Sequence, residues 1–270
     1  MAAGNRCQFC LCDCIFLQKK YTTEGKSCIL YVGIPRKPRK GKMMMKKETD
    51  LNAVKEVLKA FLYMPVEETK YSPIVVQHPI FESSFSTVDG KIVDITTPDG
   101  LKAAVDKMEE KIDTIDSPMK CMWVVRKSYY LTFLKFAKES LSLSDFSRLL
   151  GECWTEEENP NGDVNVPVRL SARWFRASDK QALMYEEEYE IYKNLPETFT
   201  VYRGVAPGRN PNGMSWTREY DKAKWFSNRF GEGYVLEGTA HKKDVLAFFS
   251  RCGEEEVVIE AAKVEGRRKI

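Results

Sequence analysis

The sequence predicts a protein of the α+β class, because helical and extended patterns occupy different parts of the chain. In the first half, apolar residues recur at the spacing of amphipathic helices, around one hairpin signal. After Pro196, short alternating segments bounded by Gly and Pro predict antiparallel strands with flanking helices. The 270 residues are 43% hydrophobic and 30% charged, which is typical of a globular protein with one large domain or two ordinary ones. We divide the chain into residues 1–48, a cysteine-containing element with a basic ribbon; residues 49–150, a mixed helix and hairpin domain; and residues 151–270, a domain of strands and flanking helices.

The N-terminal element contains a cluster of cysteines. The Cys-x-x-Cys spacing is a common zinc half-site, and the candidate ligands are Cys7, Cys10, Cys12, Cys14 and Cys28. A structural zinc site usually needs a second half-site, whereas His78 and His241 are remote in sequence. We therefore favour free thiols over zinc binding and keep zinc as the alternative.

Residues 36–47 form a basic ribbon. It contains seven Lys or Arg residues and no acidic residue, although the net charge of the whole chain is only +3. Such a ribbon can contact nucleic acid or another polyanion. No aromatic residue is interleaved to stack on a base, which favours a solvated loop over a nucleic-acid-binding role.

No stretch of the sequence predicts association with a membrane. No apolar run reaches the ~18 residues needed to span a bilayer, and the N-terminus lacks the ordered regions of a signal peptide. Eight cysteines in a chain of this length do not form a disulfide scaffold, so reduced thiols are expected. We therefore expect a soluble protein in the cytoplasm of the producing or infected cell.

The first helix and the hairpin of the middle part have clear local signals. Asp50 is placed to cap a helix with one apolar face, which Pro65 closes. The dipeptide Asp89-Gly90 separates two alternating runs at 85–88 and 91–95, and this pattern is the strongest short-range hairpin signal.

Further helical patterns follow the hairpin. Residues 97–100, Thr-Pro-Asp-Gly, predict a turn, and apolar residues spaced over 101–112 predict an amphipathic helix. A longer helical stretch is predicted over about 128–150. Residues 49–150 contain no recognisable site, so we interpret them as a partner or scaffold domain.

The last part begins near a polar loop. Residues 156–163 are rich in Glu, Asn, Pro and Gly and predict a loop, with the domain boundary just before it. The sequence Ser-Asp-Lys-Gln at 178–181 predicts a capping box that begins a helix. The acidic run on that helix is predicted to be a solvated face: Glu186, Glu187, Glu188 and Glu190.

An acidic triplet leads into the last apolar strand. Side chains on a strand alternate between its faces, so Glu254 and Glu256 are predicted on one face and Glu255 on the other. Two carboxylates close together at the start of a buried strand are costly to keep charged, which favours a cationic or electron-poor ligand beside them. Acidic residues flanking a strand also act as gatekeepers against edge pairing, which is the alternative interpretation.

Two further motifs precede the triplet: Tyr-Arg-Gly at 202–204, at the end of a predicted strand, and Ser-Trp-Thr at 215–217. Their order with Glu-x-Glu at 254–256 resembles the Arg–Ser–Glu signature of mono-ADP-ribosyltransferases, a family that includes bacterial toxin and phage enzymes that consume NAD. The resemblance extends over about 151–270. It implies a split β-sheet domain, with two packed sheets and NAD in the cleft between them.

The resemblance implies a role for each motif in NAD binding and cleavage. Arg203 would donate a bidentate pair of hydrogen bonds to the NAD diphosphate, and Gly204 would permit close approach. Ser215 and Thr217 would hold the nicotinamide ribose and the catalytic glutamate. Glu256 would stabilise the oxocarbenium character that develops when the nicotinamide bond breaks. Thr217 departs from the usual pattern of the family, which has Ser at this position, but it keeps the hydroxyl.

The remaining candidate residues concern the acceptor and the nicotinamide ring. Glu254 would deprotonate or orient the acceptor nucleophile, and the Glu-x-Glu form implies a preference for arginine side chains. The turn that includes Phe249 and Arg251 would recognise the acceptor. Phe226, or its neighbour Trp225, would pack against the nicotinamide ring.

The leading hypothesis is therefore a mono-ADP-ribosyltransferase that moves ADP-ribose from NAD to a protein acceptor. An NAD glycohydrolase, in which water replaces the protein acceptor, is the alternative enzyme. A non-enzymatic module that binds nucleic acid or an acidic partner through residues 36–47 is the alternative from another class. The sequence does not identify the acceptor protein or the oligomeric state.

Overall fold

The computed structural model describes residues 21–23, 26–28, 46–71, 74–251 and 253–270. Near the N-terminus, the strands β1, Tyr21–Thr23, and β2, Lys26–Cys28, pair antiparallel. The zinc candidates Cys7, Cys10, Cys12 and Cys14, and most of the basic ribbon, lie outside the described residues. Met45–Ile270 form one compact unit, which is a mixed arrangement of helices and antiparallel strands and confirms the predicted α+β class.

The first elements of this unit follow the local signals. Helix α1 is Leu51–Leu62, and the Asp50 carboxylate caps it by accepting a hydrogen bond from the Ala53 amide. Strands β3, Glu67–Glu68, and β4, Val76–Gln77, form a short antiparallel pair. Strands β5, Phe85–Val88, and β6, Lys91–Asp94, form the predicted hairpin. Asp89 and Gly90 both have positive φ, as a tight two-residue hairpin turn requires.

Two predictions in the helical region are wrong. The predicted turn at 97–100 is the start of helix α2, Pro98–Asp113, because the Thr97 hydroxyl caps it and Pro98 fits its first position. The predicted helical stretch over 128–150 is two helices, α4, Tyr130–Ala137, and α5, Leu143–Glu156, with α3, Pro118–Val124, before them. The break occurs because Ser142 is extended and caps α5 by accepting from the Asp145 amide.

Three shorter helices connect α5 to the sheet: α6, Val168–Ala177, α7, Lys180–Leu183, and α8, Glu186–Lys193. The single helix predicted after residue 178 is therefore wrong. Asp179 caps α7, and Met184 and Tyr185 are both extended, which interrupts the helix before α8. The break turns α8 so that Glu188 is buried, against the predicted solvated face.

A six-stranded antiparallel sheet occupies the C-terminal region, with the order β10-β11-β8-β7-β9-β12. The strands are β7, Thr198–Val205; β8, Ser215–Thr217; β9, Tyr234–His241; β10, Ala247–Phe249; β11, Glu256–Val258; and β12, Glu265–Lys269. Helix α9, Tyr220–Asn228, packs on β7. Thr217 pairs with Tyr202 on one side and with Glu256 on the other. Hydrogen bonding therefore joins two three-stranded halves into one sheet, where the resemblance implied two packed sheets.

The helices and the sheet share one apolar core. Trp154 on α5 packs edge-on against Phe175 on α6, and Phe175 packs against Phe249 on β10. Helix α5 continues through the predicted boundary at residue 151. In the part of the chain that the structure describes, no helix combines the length and the apolar character needed to cross a membrane.

Candidate active site

An open cleft lies between the sheet and the segment that follows α5. Its empty space is about 1030 Å³, including the open mouth. Both polar and aromatic side chains line it, among them Trp154, Glu157, Glu158, Asn161, Arg203, Arg209, Ser215, Thr217, Phe226, Arg229, Phe230, Glu254 and Glu256. The structure therefore brings all three motifs of the sequence to one cavity.

Glu256 is the first residue of β11 and is 8% exposed. Its Oε1 accepts a hydrogen bond of 2.9 Å from the indole Nε1 of Trp154. Burial raises the pKa of this carboxyl to about 7, while hydrogen bonds from Ser215 and Trp154 act in the opposite direction. Glu256 is thus a buried carboxyl that changes its charge near neutral pH.

Glu254 lines the same cleft as Glu256, whereas Glu255 does not. Glu254 precedes the strand, and Glu255 has a left-handed φ of 48° and lies 3.6 Å from Arg218 in an ion pair. Glu254 and Glu256 therefore face the same cleft because of a turn, and not because of the strand alternation that was predicted, since only Glu256 lies in the strand. Burial raises the pKa of Glu254, although nearby Arg229 opposes the shift.

Arg203 lies on β7 and is 8% exposed. Its Nη1 donates to the Ser215 carbonyl at 2.5 Å, and its Nη2 donates to the Asn210 carbonyl at 2.8 Å. Burial lowers the pKa of Arg203 to about 10, so the guanidinium remains cationic at neutral pH. Within the described residues, its buried Nε has no hydrogen-bond partner. Arg203 therefore holds the loop before β8 in place through two backbone carbonyls.

The structure explains why a glycine is needed at position 204, and the explanation differs from the predicted one. A Cβ at this position would lie 2.0 Å from the Ala223 carbonyl oxygen and 2.7 Å from the Ser227 amide nitrogen. The missing side chain thus lets α9 pack closely on β7. The close approach that Gly204 permits in the structure is that of a helix backbone.

The two hydroxyl residues of β8 have different surroundings. The Ser215 Oγ accepts a hydrogen bond of 2.8 Å from Asn161 and lies in the cleft beside Glu256. The Thr217 hydroxyl donates to the Glu254 carbonyl at 2.8 Å and accepts from the Glu219 amide. Thr217 therefore fixes the turn that carries Glu254, whereas the predicted role was to hold the nicotinamide ribose and the catalytic glutamate.

The two aromatic candidates, Phe226 and Trp225, also differ in their surroundings. Phe226 on α9 lines the cleft, as predicted for a ring that packs against nicotinamide. Trp225 is 56% exposed and does not line the cleft, although the guanidinium of the cleft residue Arg229 lies over its ring. At the rim, Glu158 forms ion pairs with Arg229 at 2.9 Å and Arg209 at 3.7 Å.

Phe249 and Arg251 do not present a surface to an acceptor. Phe249 is 2% exposed in the core. The Arg251 guanidinium pairs with Glu152 and Glu188 at 2.6 Å each, and it lies over the Tyr185 ring. Phe249 is therefore a core residue and Arg251 is held by two carboxylates, so the prediction that they recognise the acceptor is wrong.

Several residues of the cleft were not predicted from the sequence, among them Trp154, Glu157 and Asn161. Trp154 is at the end of an amphipathic helix, where the sequence pattern predicts a core residue. Asn161 lies in an Asn-Pro-Asn-Gly stretch, which predicts a turn. Glu157 is buried, and burial together with nearby Asp163 raises its pKa to about 8. No signal in the sequence indicates that these residues face the three motifs, because their partners are remote along the chain.

Residues 46–71, 74–251 and 253–270 contain no group of three or more His, Cys, Asp or Glu side chains that could hold a metal ion. The backbone of Cys28 lies in β2, and the other zinc candidates are outside the described part of the chain. The cleft chemistry is instead that of buried carboxyls beside an arginine, a serine and aromatic rings. In comparisons with known proteins, no family model, no curated protein and no solved structure matches this chain.

Proposed function

We propose that this chain is a mono-ADP-ribosyltransferase that moves ADP-ribose from NAD to a protein acceptor, with arginine as the preferred side chain. One observation supports this most strongly. Arg203, Ser215 and Glu256 resemble the three motif residues of that family in sequence order, and they line one open cleft together.

The charges of the cleft suit a dinucleotide with an anionic diphosphate and a cationic nicotinamide. Arg203 supplies a buried positive charge, and Arg209 and Arg229 share the single carboxylate of Glu158 at the rim, which leaves one net positive charge in that cluster. The cleft also contains the carboxyls of Glu254 and Glu256 for the cationic end of the substrate. Phe226 offers an apolar ring surface to an aromatic base.

Glu256 acts on the bond that breaks. As the C–N bond between ribose and nicotinamide opens, nicotinamide leaves with the electron pair and positive charge develops on the ribose. The ionised Glu256 carboxylate stabilises that charge, and it does so strongly because it is buried and already oriented. Ser215 supports the ionised form by its hydrogen bond to the carboxylate.

Glu254 acts on the acceptor. The acceptor nitrogen forms the new bond to the ribose carbon with its lone pair, and it loses one proton. Glu254 lies in the same cleft, is partly buried and has a raised pKa, which makes its carboxylate a stronger base than a freely solvated glutamate. The negative charge of this carboxylate would also attract the guanidinium of an acceptor arginine.

The test is incubation of a cell lysate with the purified protein and biotin-labelled NAD, followed by mass spectrometry of labelled peptides. Glu256→Gln is the test variant, and Glu255→Gln is its matched control because Glu255 lies outside the cleft in the same turn. We expect labelled arginine peptides with the wild type and with Glu255→Gln. We expect labelling to fall by about 10²–10³ with Glu256→Gln.

Free nicotinamide is measured in the same tubes. Nicotinamide release without labelled protein would replace the transferase with an NAD glycohydrolase. Unchanged NAD turnover in a folded Glu256→Gln variant would contradict the assignment of the site. Absence of both products, with salt-dependent polyanion binding that is lost on deletion of residues 36–47, would favour the binding module.

A further inference from the structure

We propose that Trp154 and Asn161 are positioning residues, which hold Glu256 and Ser215 in the orientation that the proposed reaction uses. Both lie in the 154–161 segment, which contains the end of α5 and the residues that follow it. This inference rests on the proposed function for its catalytic meaning. The contacts themselves join the helical region to the sheet and can be tested without turnover.

Trp154 fixes the Glu256 carboxylate from the helical side. Its indole nitrogen is a donor only, and it donates to Oε1 at 2.9 Å. The side chain is 1% exposed and packs edge-on against Phe175, with the ring centroids 5.0 Å apart. Because the ring is fixed by packing, the hydrogen bond defines where one carboxylate oxygen lies.

Asn161 fixes Ser215 from the same segment. Its Nδ2 donates to the Ser215 Oγ at 2.8 Å, and its Oδ1 accepts from the Met214 amide at 2.6 Å. The amide therefore binds both a side chain and the backbone at the start of β8. The Ser215 hydroxyl accepts from Asn161 and keeps its own proton to donate, and its hydrogen bond to Glu256 lowers the pKa of that carboxyl. The result is a chain of hydrogen bonds from Asn161 through Ser215 to the carboxylate, with Trp154 at its other side.

Gly213 shows how closely the segment approaches β8. A Cβ at Gly213 would lie 2.8 Å from the Asn161 Cγ and 2.3 Å from an Arg203 guanidinium nitrogen. The asparagine amide, the arginine and the turn before β8 are thus packed without space for a side chain. This packing indicates a preformed arrangement of the site.

Several charged groups face Glu256 besides the two hydrogen-bond donors. Glu254 in its own turn disfavours its ionisation and Arg203 on β7 favours it. The other ionisable groups that line the cleft are Glu156, Glu157, Glu158, Tyr202, Arg209 and Arg229. Both donors stabilise the charged form of Glu256, so the loss of either moves its titration to higher pH.

The experiment is a pH titration of the Glu256 carboxyl by NMR of the full chain labelled with ¹³C at glutamate carboxyls. Glu256→Gln assigns the signal. We expect a wild-type midpoint near 7, and an upward shift of about 1 in Trp154→Phe, since a hydrogen bond to a charged group is lost. Asn161→Ala shifts the midpoint in the same direction by a smaller amount.

Matched controls separate positioning from general loss of packing. Trp174→Phe removes the same atoms from an equally buried tryptophan, which packs against Phe146. Asn165→Ala removes an amide that donates to Thr132. Both controls leave the Glu256 midpoint unchanged. If NAD turnover is present, its rising pH limb moves upward in Trp154→Phe and not in Trp174→Phe.

An unchanged midpoint in folded Trp154→Phe overturns the proposal, as does a shift of equal size in Trp174→Phe. If Trp154→Phe does not fold, Asn161→Ala decides, and an unchanged midpoint there overturns the proposal. The titration does not depend on activity. A wild type without NAD turnover but with the expected shifts would therefore refute the proposed function and leave the positioning contacts established.

Discussion

Two buried glutamates near the same turn differ in what surrounds their charge. Glu188 is 1% exposed and Glu256 is 8% exposed, so burial alone raises the pKa of each. Glu188 accepts hydrogen bonds from the Arg251 side chain and from the Ser250 and Arg251 amides, and its pKa is lowered despite burial. Glu256 accepts from an indole and a hydroxyl, and its pKa is raised to about 7.

The difference shows that the partner, and not burial, decides the role of a buried carboxyl. A bound guanidinium favours the charged form of Glu188, which ties α8 to the turn before β11. Neutral donors leave Glu256 able to gain and lose a proton near neutral pH. The structural pair lies beside the candidate catalytic carboxylates and fixes the start of their turn.

The largest expected effect comes from breaking the structural pair. Arg251→Met leaves Glu188 buried without its cation, so the free energy of unfolding falls by about 3–5 kcal/mol. Urea denaturation at pH 7 measures the change. A loss below 1 kcal/mol would mean that Glu188 is not held by this pair, and the comparison between the two glutamates would fail.

An intermediate effect is expected from pH, with opposite signs for the two carboxyls. The pKa of Glu256 is raised from 4.5 to about 7, so its burial carries no penalty below pH 4.5 and the full penalty above about pH 7. Relative to wild type, Glu256→Gln therefore gains stability as pH rises through this window, by on the order of 3 kcal/mol at most. Denaturation at pH 5 and pH 8 measures the gain.

Glu188 provides the matched comparison for that experiment. Its pKa is lowered from 4.5, so its ion pair contributes stability above pH 4.5, and this contribution is lost as the pH falls below that value. Glu188→Gln is therefore destabilised relative to wild type at both pH 5 and pH 8. A pH-independent effect of Glu256→Gln between pH 5 and pH 8 would contradict the raised pKa.

The smallest effect is expected at the third carboxylate of the turn. Glu255 and Arg218 form a partly exposed ion pair at 3.6 Å, with 34% and 39% of the side chains exposed. Arg218→Met is expected to change the free energy of unfolding by about 0–1 kcal/mol, because solvent screens the pair. Urea denaturation of Arg218→Met and Arg251→Met under the same conditions measures the two changes. Equal losses in the free energy of unfolding would show that burial does not distinguish the two ion pairs.

The sequence predicted the local structure where local chemistry decides it. The cap at Asp50, the hairpin at Asp89-Gly90 and the apolar strand after the acidic triplet follow from side chains and backbone preferences within a few residues. The predictions failed where one cap outweighed a longer periodic pattern. Thr97 and Ser142 each begin a helix by binding a backbone amide, which the apolar spacing does not reveal.

The candidate site was predicted in part for the same reason. Its motif residues Arg203, Ser215 and Glu256 were identified from their order, and the structure places them in one cleft. The sequence could not indicate that Thr217 and Arg251 are occupied by neighbouring groups, since those partners come from other elements.

By itself, the sequence determined the α+β class, the local signals that begin helices and turns, and the set of residues able to carry chemistry. Only the tertiary structure decided that buried Glu188 pairs with a guanidinium and that buried Glu256 accepts a hydrogen bond from an indole. Trp154 and Glu256 are 102 residues apart, and they meet because α5 and β11 belong to one packed core. Such a contact depends on how whole elements pack, and no local preference along the chain encodes it.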